Sequence, residues 1–205
     1  MKNINILIVG VGGQGTLLTS RVLGSLASKL GYDAKVSEVH GMAQRGGSVV
    51  THVRFGDRVF SPLIEEGRAD ILLSFEKMEA LRWIHYLKED GMLIVNDQAI
   101  DPMPVITGNA KYPDDILNRL INRISNVFII NAQEIAKEIG NIRVSNSVLM
   151  GVLAQHMNIK KEDWEEVLSS TVPPKTIKEN LKAFKIGYNT KLGCEEGARL
   201  NDVLE

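Results

Sequence analysis

The opening of the chain is the feature that most constrains its fold. Residues Ile4–Val9 form an apolar run broken only by Asn5, which is typical of a parallel strand buried on both faces. A glycine-rich stretch, Gly10–Gly15, follows, and apolar residues then recur at helical spacing over 16–30, up to Gly31. Ala34–Val39 has the pattern of a second strand. This order of strand, glycine loop, helix and strand predicts the opening βαβ unit of a doubly wound fold.

The rest of the chain continues this framework with one interruption. Ser48–Phe55 alternates apolar and polar residues, and a turn at Gly56-Asp57 followed by Arg58–Ile64 predicts a returning hairpin strand. Later segments predict three further strands and six helices: Asp70–Ser74, Met92–Asn96 and Asn126–Ile130, then Lys77–Lys88, Asp114–Ile124, Ala132–Ile139, Ser147–Met157, Lys161–Ser169 and Lys175–Gly187. We therefore expect an α/β fold: a Rossmann-like, mainly parallel sheet with a β-hairpin excursion and C-terminal helices. It should form one domain over residues 1–188, with a C-terminal tail over 189–205.

The composition argues against several classes of function. A formal net charge of −1 argues against nucleic-acid binding, which usually needs a basic excess. Because Cys194 is the single cysteine, the chain can form no internal disulfide and cannot supply four thiolates to an iron–sulfur cluster or a zinc site. The four histidines are far apart and give no metal-ligand spacing. No stretch approaches the roughly 18–20 apolar residues of a membrane span, so we expect a cytoplasmic protein without membrane or nucleic-acid partners.

The first motif is the glycine loop, Gly10-Val11-Gly12-Gly13-Gln14-Gly15. It matches Gly-x-Gly-x-x-Gly between a predicted strand and a predicted helix, where the helix N-terminus favours a phosphate. Gly12 and Gly15 should be required for the backbone turn and for helix packing. Glu38, near the end of the second predicted strand, stands about where a dinucleotide fold places its ribose-binding carboxylate. The alternative is that the glycines serve only the turn between strand and helix.

The second motif lies between the second strand and the next one. Residues Val39–Gly56 contain no acidic residue but include Arg45 and Arg54. The planar guanidinium of arginine suits carboxylate and phosphate groups, and the flanking Gly46 and Gly47 can expose backbone N–H groups to an anion. An exposed loop at the entry of a hairpin is the simpler interpretation, but the density of special residues favours a binding site or a subunit contact.

Together the motifs resemble a known family. The glycine loop followed by His40-Gly41-Met42-Ala43-Gln44-Arg45-Gly46-Gly47-Ser48-Val49 resembles the gamma-type subunit of the 2-oxoacid:ferredoxin oxidoreductases. This form of the second motif is most similar to the indolepyruvate branch, in its beta subunit. Asn146-Ser147-Val148-Leu149-Met150-Gly151 resembles the family's helix start with asparagine and glycine. The similarity spans most of the chain from Ile4 to about Tyr188.

The resemblance implies a function that the residues alone do not show. Such enzymes oxidatively decarboxylate a 2-oxoacid on thiamine diphosphate, pass electrons through iron–sulfur clusters to ferredoxin, and transfer the acyl group to coenzyme A. In the indolepyruvate branch the substrates are aryl pyruvates. This chain has no Gly-Asp-Gly signature for thiamine diphosphate and its metal, and it has one cysteine. The resemblance therefore implies a larger alpha subunit that carries thiamine diphosphate, Mg²⁺ and the clusters, with ferredoxin reached through the complex.

No catalytic residue and no metal ligand can be assigned from this chain. The residues expected to bind coenzyme A or another anion, or else to contact a subunit, are Gly10, Gly12, Gly13, Gln14, Gly15, Arg45, Gly46 and Gly47. Two other functions remain open. One is a self-sufficient NAD(P)-linked oxidoreductase that uses the glycine loop and Glu38, and the other is a nucleotide-binding regulatory module.

Overall fold

The protein is built around one mixed β-sheet. The computed structural model describes residues 3–40 and 47–191, and within these ranges the sheet has six strands in the order β2-β3-β1-β4-β5-β6. β1, β4, β5 and β6 run parallel, and β3 is antiparallel to both β1 and β2. The strands are β1 (Ile4–Val11), β2 (Asp33–His40), β3 (Ser48–Gly56), β4 (Ala69–Ser74), β5 (Leu87–Asn96) and β6 (Val127–Ile130). The predicted α/β fold is confirmed.

Strand β3 lies inside the sheet, between β1 and β2. In the register, Val50 of β3 is paired with Val9 on one side and with Val39 on the other. β2 therefore still runs parallel to β1, as a βαβ unit requires, but it lies two strand spacings away, roughly 10 Å. β3 suits this place because both of its faces are buried: Val50 and Val53 point to opposite faces and are 6% and 0% exposed. The alternation seen in the sequence predicted the strand but not its place inside the sheet.

The predicted hairpin partner of β3, Arg58–Ile64, is not a strand. Backbone groups of this segment form hydrogen bonds with side chains rather than with a neighbouring strand. Nδ1 of His52 accepts a hydrogen bond from the N–H of Ile64 at 3.2 Å, and Nη1 of Arg54 donates to the carbonyl of Ser61 at 2.9 Å. Burial, and secondarily the positive charge of Arg54, lower the pKa of His52, which keeps its ring neutral and able to accept. The actual antiparallel partners of β3 are β1 and β2.

Helices cover both faces of the sheet. On one face, α1 and α5–α8 pack over Ile6 and Ile8; on the other, α2 and α4 pack over Leu7 and Val9. Alternate residues of β1 thus pack into two separate hydrophobic cores, as expected for a strand buried on both sides. Within the described ranges, no helix is long and apolar enough to cross a membrane. The helices are α1 (Thr16–Lys29), α2 (Lys77–Trp83), α3 (Met103–Ile106), α4 (Ile116–Ile121), α5 (Ala132–Ile139), α6 (Ser145–Gln155), α7 (Lys161–Thr171) and α8 (Ile177–Asn189).

The C-terminal helices α6 and α8 approach each other backbone to backbone. A Cβ added to Gly187 would lie 2.0 Å from the carbonyl oxygen of Val148, and one added to Gly151 would lie 2.2 Å from that of Phe184. No side chain fits at either position without moving a helix. Gly151 is the last residue of Asn146–Gly151, the third sequence motif. Helix packing therefore explains why this position is glycine.

Candidate functional site

The glycine loop joins β1 to α1, with a tight backbone path. Gly13 and Gly15 have φ angles of 99° and 85°, a region that residues with a side chain rarely adopt. A Cβ on Gly15 would also lie 2.7 Å from Nδ2 of Asn146, the first residue of the third sequence motif. Gly15 is thus required both for the turn and for packing against α6. Gly12, expected to share this role, does not have a positive φ.

The side chain of Gln14 is part of the loop's own structure. Its Oε1 accepts from the N–H of Val11 at 2.7 Å, and its Nε2 donates to the carbonyl of Phe75 and to Oε1 of Gln98, both at 2.9 Å. Gln98 Oε1 also accepts from Nε2 of Gln133 at 3.0 Å. These amides tie the loop to the chain segments that follow β4, β5 and β6. Gln14 therefore positions the loop and is not a free ligand group.

A cleft opens beside the glycine loop at the carboxyl edge of the parallel strands. This is the edge at which ligands bind in open α/β sheets. Arg143 has the one ionisable side chain among the described lining residues; it is exposed and has no ion-pair partner within the described part of the chain. The cleft is therefore polar and carries one positive charge. It is lined by Gly12, Gly13, Gln14, Gly15, Gln98, Ile100, Gln133, Ile142, Arg143, Ser145 and Asn146.

The start of α1 adds backbone donors to this cleft. The N–H of Gly12 donates to the carbonyl of Gly47 at 2.9 Å, and that of Gln14 donates to Val11 at 3.2 Å, so both are occupied. The N–H groups of Gly13, Gly15 and Thr16 have no partner in residues 3–40 and 47–191. Free donors at a helix N-terminus, with an arginine on the same cleft, form an arrangement that suits an anionic group.

The two sequence motifs meet, although only the ends of the second can be described. Arg45 and Gly46 lie outside the described residues. Gly47 lies beside the glycine loop, since its carbonyl accepts a hydrogen bond from the N–H of Gly12. The Oγ of Ser48, the next residue, donates to the buried carboxylate of Glu79 at 2.5 Å. The second motif thus re-enters the sheet next to the first.

The sequence did not predict the side of the cleft that lies opposite the glycine loop. Gln98, Gln133 and Arg143 were not among the expected site residues, because they lie more than 80 positions from the glycine loop. One signal was available: Gln98 follows the predicted strand ending at Asn96, and parallel strands end at a common edge. No comparable signal pointed to Arg143.

Glu38 does not share the cleft. It lies on β2, beyond β3, and lines a separate groove with Leu17 and Arg21 on the outer side of α1. In a dinucleotide-binding sheet the acidic residue stands on the strand next to β1, within reach of the ribose. The insertion of β3 removes that adjacency, which argues against the dinucleotide interpretation.

Comparison with known proteins identifies close relatives of the whole chain. Residues 5–190 match the model of the family described as pyruvate ferredoxin/flavodoxin oxidoreductase. The chain is 44% identical over 192 residues to the indolepyruvate oxidoreductase subunit IorB of Thermococcus kodakarensis, covering 91% of this chain and 95% of that protein.

Solved structures show the same fold. The gamma subunit of a keto/oxoacid ferredoxin oxidoreductase from Geobacter sulfurreducens superposes with a TM-score of 0.64 at 25% identity, covering 90% of this chain and 96% of that one. A second match, at 21% identity and a TM-score of 0.71, is the 2-oxoglutarate:ferredoxin oxidoreductase of Magnetococcus marinus with 2-oxoglutarate, coenzyme A and succinyl-CoA bound. It covers 92% of this chain but 31% of that longer chain, and at this identity it bears on the fold alone.

Proposed function

We infer the function of this chain from one premise: it belongs to the pyruvate ferredoxin/flavodoxin oxidoreductase family. The reaction of that family is the oxidative decarboxylation of a 2-oxoacid with ferredoxin as electron acceptor. The chain is a subunit of a 2-oxoacid:ferredoxin oxidoreductase complex. The expected family and function are confirmed at this level.

Within the family, we propose that the complex oxidises aryl pyruvates such as indolepyruvate and forms the corresponding acyl-CoA. The observation that carries this assignment is the 44% identity to an indolepyruvate oxidoreductase subunit along nearly the full length of both chains. A 2-oxoglutarate synthase subunit, KorC of Methanothermobacter thermautotrophicus, is 33% identical over 186 residues, so the indolepyruvate branch is the better match.

The redox cofactors belong, in this proposal, to a larger alpha subunit. One cysteine cannot ligate an iron–sulfur cluster, and the described residues contain no group of three or more His, Cys, Asp or Glu side chains able to hold a metal ion. The sequence also lacks the Gly-Asp-Gly signature of a thiamine diphosphate site. We assign thiamine diphosphate, Mg²⁺ and the clusters to that partner, which passes electrons to ferredoxin. This chain completes the assembly and shapes the approach of coenzyme A.

The cleft beside the glycine loop is the proposed site for the phosphate-bearing part of coenzyme A. The N–H groups of Gly13, Gly15 and Thr16, which have no partner among the described residues, and the exposed guanidinium of Arg143 support an anion there. Gly10 lies under the loop, where a Cβ would be 2.8 Å from Oε1 of Gln14, and it contributes packing. Arg45 and Gly46, which lie outside the described residues, remain proposed members of the site.

Exposed apolar side chains mark the proposed contact with the larger subunit. At the carboxyl edge of the sheet, Leu17, Val39 and Ile142 are 45–54% exposed, and Met103 and Ile106 of α3 are 64% and 65% exposed. Of these, Ile142 lines the cleft, and exposed large apolar side chains are typical of a surface that another protein covers. The proposal includes a single domain over 1–188 and a tail over 189–205, consistent with the end of α8 at Asn189, and a cytoplasmic location.

The proposed function is tested by reconstitution. The isolated chain should be folded but should not turn over indolepyruvate, coenzyme A and an electron acceptor, because it lacks the thiamine and cluster sites. Adding the larger subunit should produce acyl-CoA and a reduced acceptor. Turnover by this chain alone would contradict the proposal. Titration of the isolated chain with NAD, NADP and adenine nucleotides tests the alternatives, and tight binding would favour them.

A further inference from the structure

Strand β2 forms one edge of the sheet, and its outer side has no partner. It pairs with β3 over Asp33–His40 without a break in the register. Within residues 3–40 and 47–191, no hydrogen bond reaches the backbone groups of β2 that point away from β3. Proteins usually protect such an edge with a proline, a β-bulge, a short strand or a free lysine. β2 has none of these, since Nζ of its single lysine, Lys35, is paired with Oδ1 of Asp33 at 2.6 Å. The edge is therefore a template for another strand.

A groove lies along this edge, between β2 and helix α1. Val36, near the middle of β2, borders the groove and is 44% exposed although it is apolar. An apolar side chain at the centre of a long open edge favours pairing with a further strand, which would cover it. The other residues that line the groove are Leu17, Ser20, Arg21, Gly24, Ser25, Glu38, Ser170 and Thr171.

The groove carries one positive and one negative side chain, and neither is paired within the described residues. Arg21 of α1 is exposed and forms no ion pair there. Glu38 of β2 forms none either, and its Oε2 is shielded from solvent without a hydrogen-bond donor in the described part of the chain. Shielding a carboxylate oxygen without a donor is costly, so this atom favours the approach of a cationic group from outside the chain.

We propose that β2 is a contact between two copies of this chain, which pair antiparallel about a two-fold axis perpendicular to the sheet. Such an interface has to complement itself. This edge does so, because each copy offers an open strand and both the cation and the anion that the other copy lacks. The axis leaves each face of the sheet on its own side, so it passes beside a residue that lies opposite its own copy. With Ser37 at that place, Glu38 lies opposite Val36 of the other copy, next to the helix that carries Arg21.

Self-association of the full chain tests the proposal, with Val36 as the probe. Sedimentation equilibrium should show a dimer at about 100 µM chain and, on dilution to about 0.1 µM, a monomer with β2 as an open edge. Val36→Lys places a charge at the centre of the contact and should raise the dimer Kd at least about tenfold. Val36→Thr suits a strand and adds no charge, so its Kd should stay within about threefold of the wild type. A wild-type chain that remains a monomer at the higher concentration would leave this edge to another protein and overturn the proposal.

Mixing two charge-reversed variants shows whether Arg21 and Glu38 pair across the contact. Arg21→Glu and Glu38→Arg each bring like charges together in a homodimer, and each should raise the Kd about tenfold. An equimolar mixture of the two should form a heterodimer with nearly the wild-type Kd, because opposite charges then face each other at both places. Mixing cannot restore a pair formed within one chain. If the mixture associates no better than the separate variants, the proposed contact is wrong.

Arg123→Glu is the matched control for these charge reversals. Arg123 is exposed but lies outside the groove, so its reversal should change the Kd less than about twofold. Melting temperatures measured in parallel show that each variant is folded. The measurement does not involve the oxidoreductase reaction, and Arg21, Val36 and Glu38 do not line the glycine-loop cleft. Failure of the proposed function and failure of this contact are therefore separate results.

Discussion

Among single residues, Arg143 carries the charge of the cleft. It stands on the turn between α5 and α6, where Asn141 Oδ1 accepts from its backbone N–H at 3.1 Å, while its guanidinium is exposed. The side chain forms no ion pair with any residue in 3–40 or 47–191, so its removal costs the fold little. A cation and loop amides that have no partner in the described part of the chain are available to a ligand.

Arg143→Ala should therefore raise KM for coenzyme A about tenfold, corresponding to about 1.4 kcal/mol of lost binding, without changing the melting temperature. Steady-state kinetics of the reconstituted enzyme and thermal unfolding of the isolated chain measure the two quantities. Arg123→Ala is the control, because Arg123 is also exposed but does not line the cleft. An unchanged KM would show that coenzyme A does not use this charge.

The sequence predicted the glycine loop better than it predicted the site around it. Gly15 has the positive φ that the motif implies, because residues next to it in the chain and the helix it starts set that angle, whereas its close contact with Asn146 comes from the packing of α6. Gly13 has a φ of 99°, which strains any side chain there, although a Cβ would meet no atom within 4 Å. Arg143 could not be identified, since only the tertiary fold brings the turn before α6 to the loop.

At the scale of elements, helices α6 and α8 pack so closely that each requires a glycine at the contact. Gly187→Ala would place a methyl group 2.0 Å from the carbonyl oxygen of Val148, and the helices would have to separate. We expect it to lower the free energy of unfolding by about 3 kcal/mol, at the upper end of the usual cost of overpacking. Urea unfolding of the isolated chain measures this.

Gly24 in α1 is the matched control for that change. It is also a helical glycine, but a Cβ there would lie 3.8 Å from Cγ2 of Val36, an ordinary contact. Gly24→Ala should stabilise the chain by about 0.5–1 kcal/mol, the difference in helix propensity between the two residues. If both variants lose stability equally, close helix packing is not the reason for glycine at 187.

Elements with strong local patterns were predicted well, and those decided by tertiary contacts were not. Helix α5 has the predicted bounds, Ala132–Ile139, because its apolar spacing, its Asn131 cap and the following Gly140 agree. The helix expected over Lys77–Lys88 ends at Trp83, and β5 already begins at Leu87. The charged residues near the start of β5 made this segment resemble the end of an exposed helix. In the structure Nζ of Lys88 pairs with Oδ1 of Asp70 in β4 at 3.0 Å, a contact that the sequence cannot show.

For the whole molecule, the sequence established the fold class and the family but not the arrangement of the sheet. Strand order depends on which edges pair, and pairing between distant segments leaves no periodic signal in the chain. The segment Ser48–Phe55 was expected outside the framework, yet β3 occupies its interior. That position also bears on the function, since it places Glu38 away from the glycine loop and weakens the dinucleotide interpretation.

The place of β3 also dictates the order in which the sheet can open. Within the described residues β2 is hydrogen-bonded to β3 alone, so β2 can detach while β3 stays paired with β1, whereas β3 is held by a ladder on each side. In native-state hydrogen exchange, the ladder amides of β2 should therefore exchange at least as fast as those of β3 that bond to β1. Slower exchange in β2 would contradict this order. The strand that carries the glycine loop, held on both sides, should be among the last to exchange.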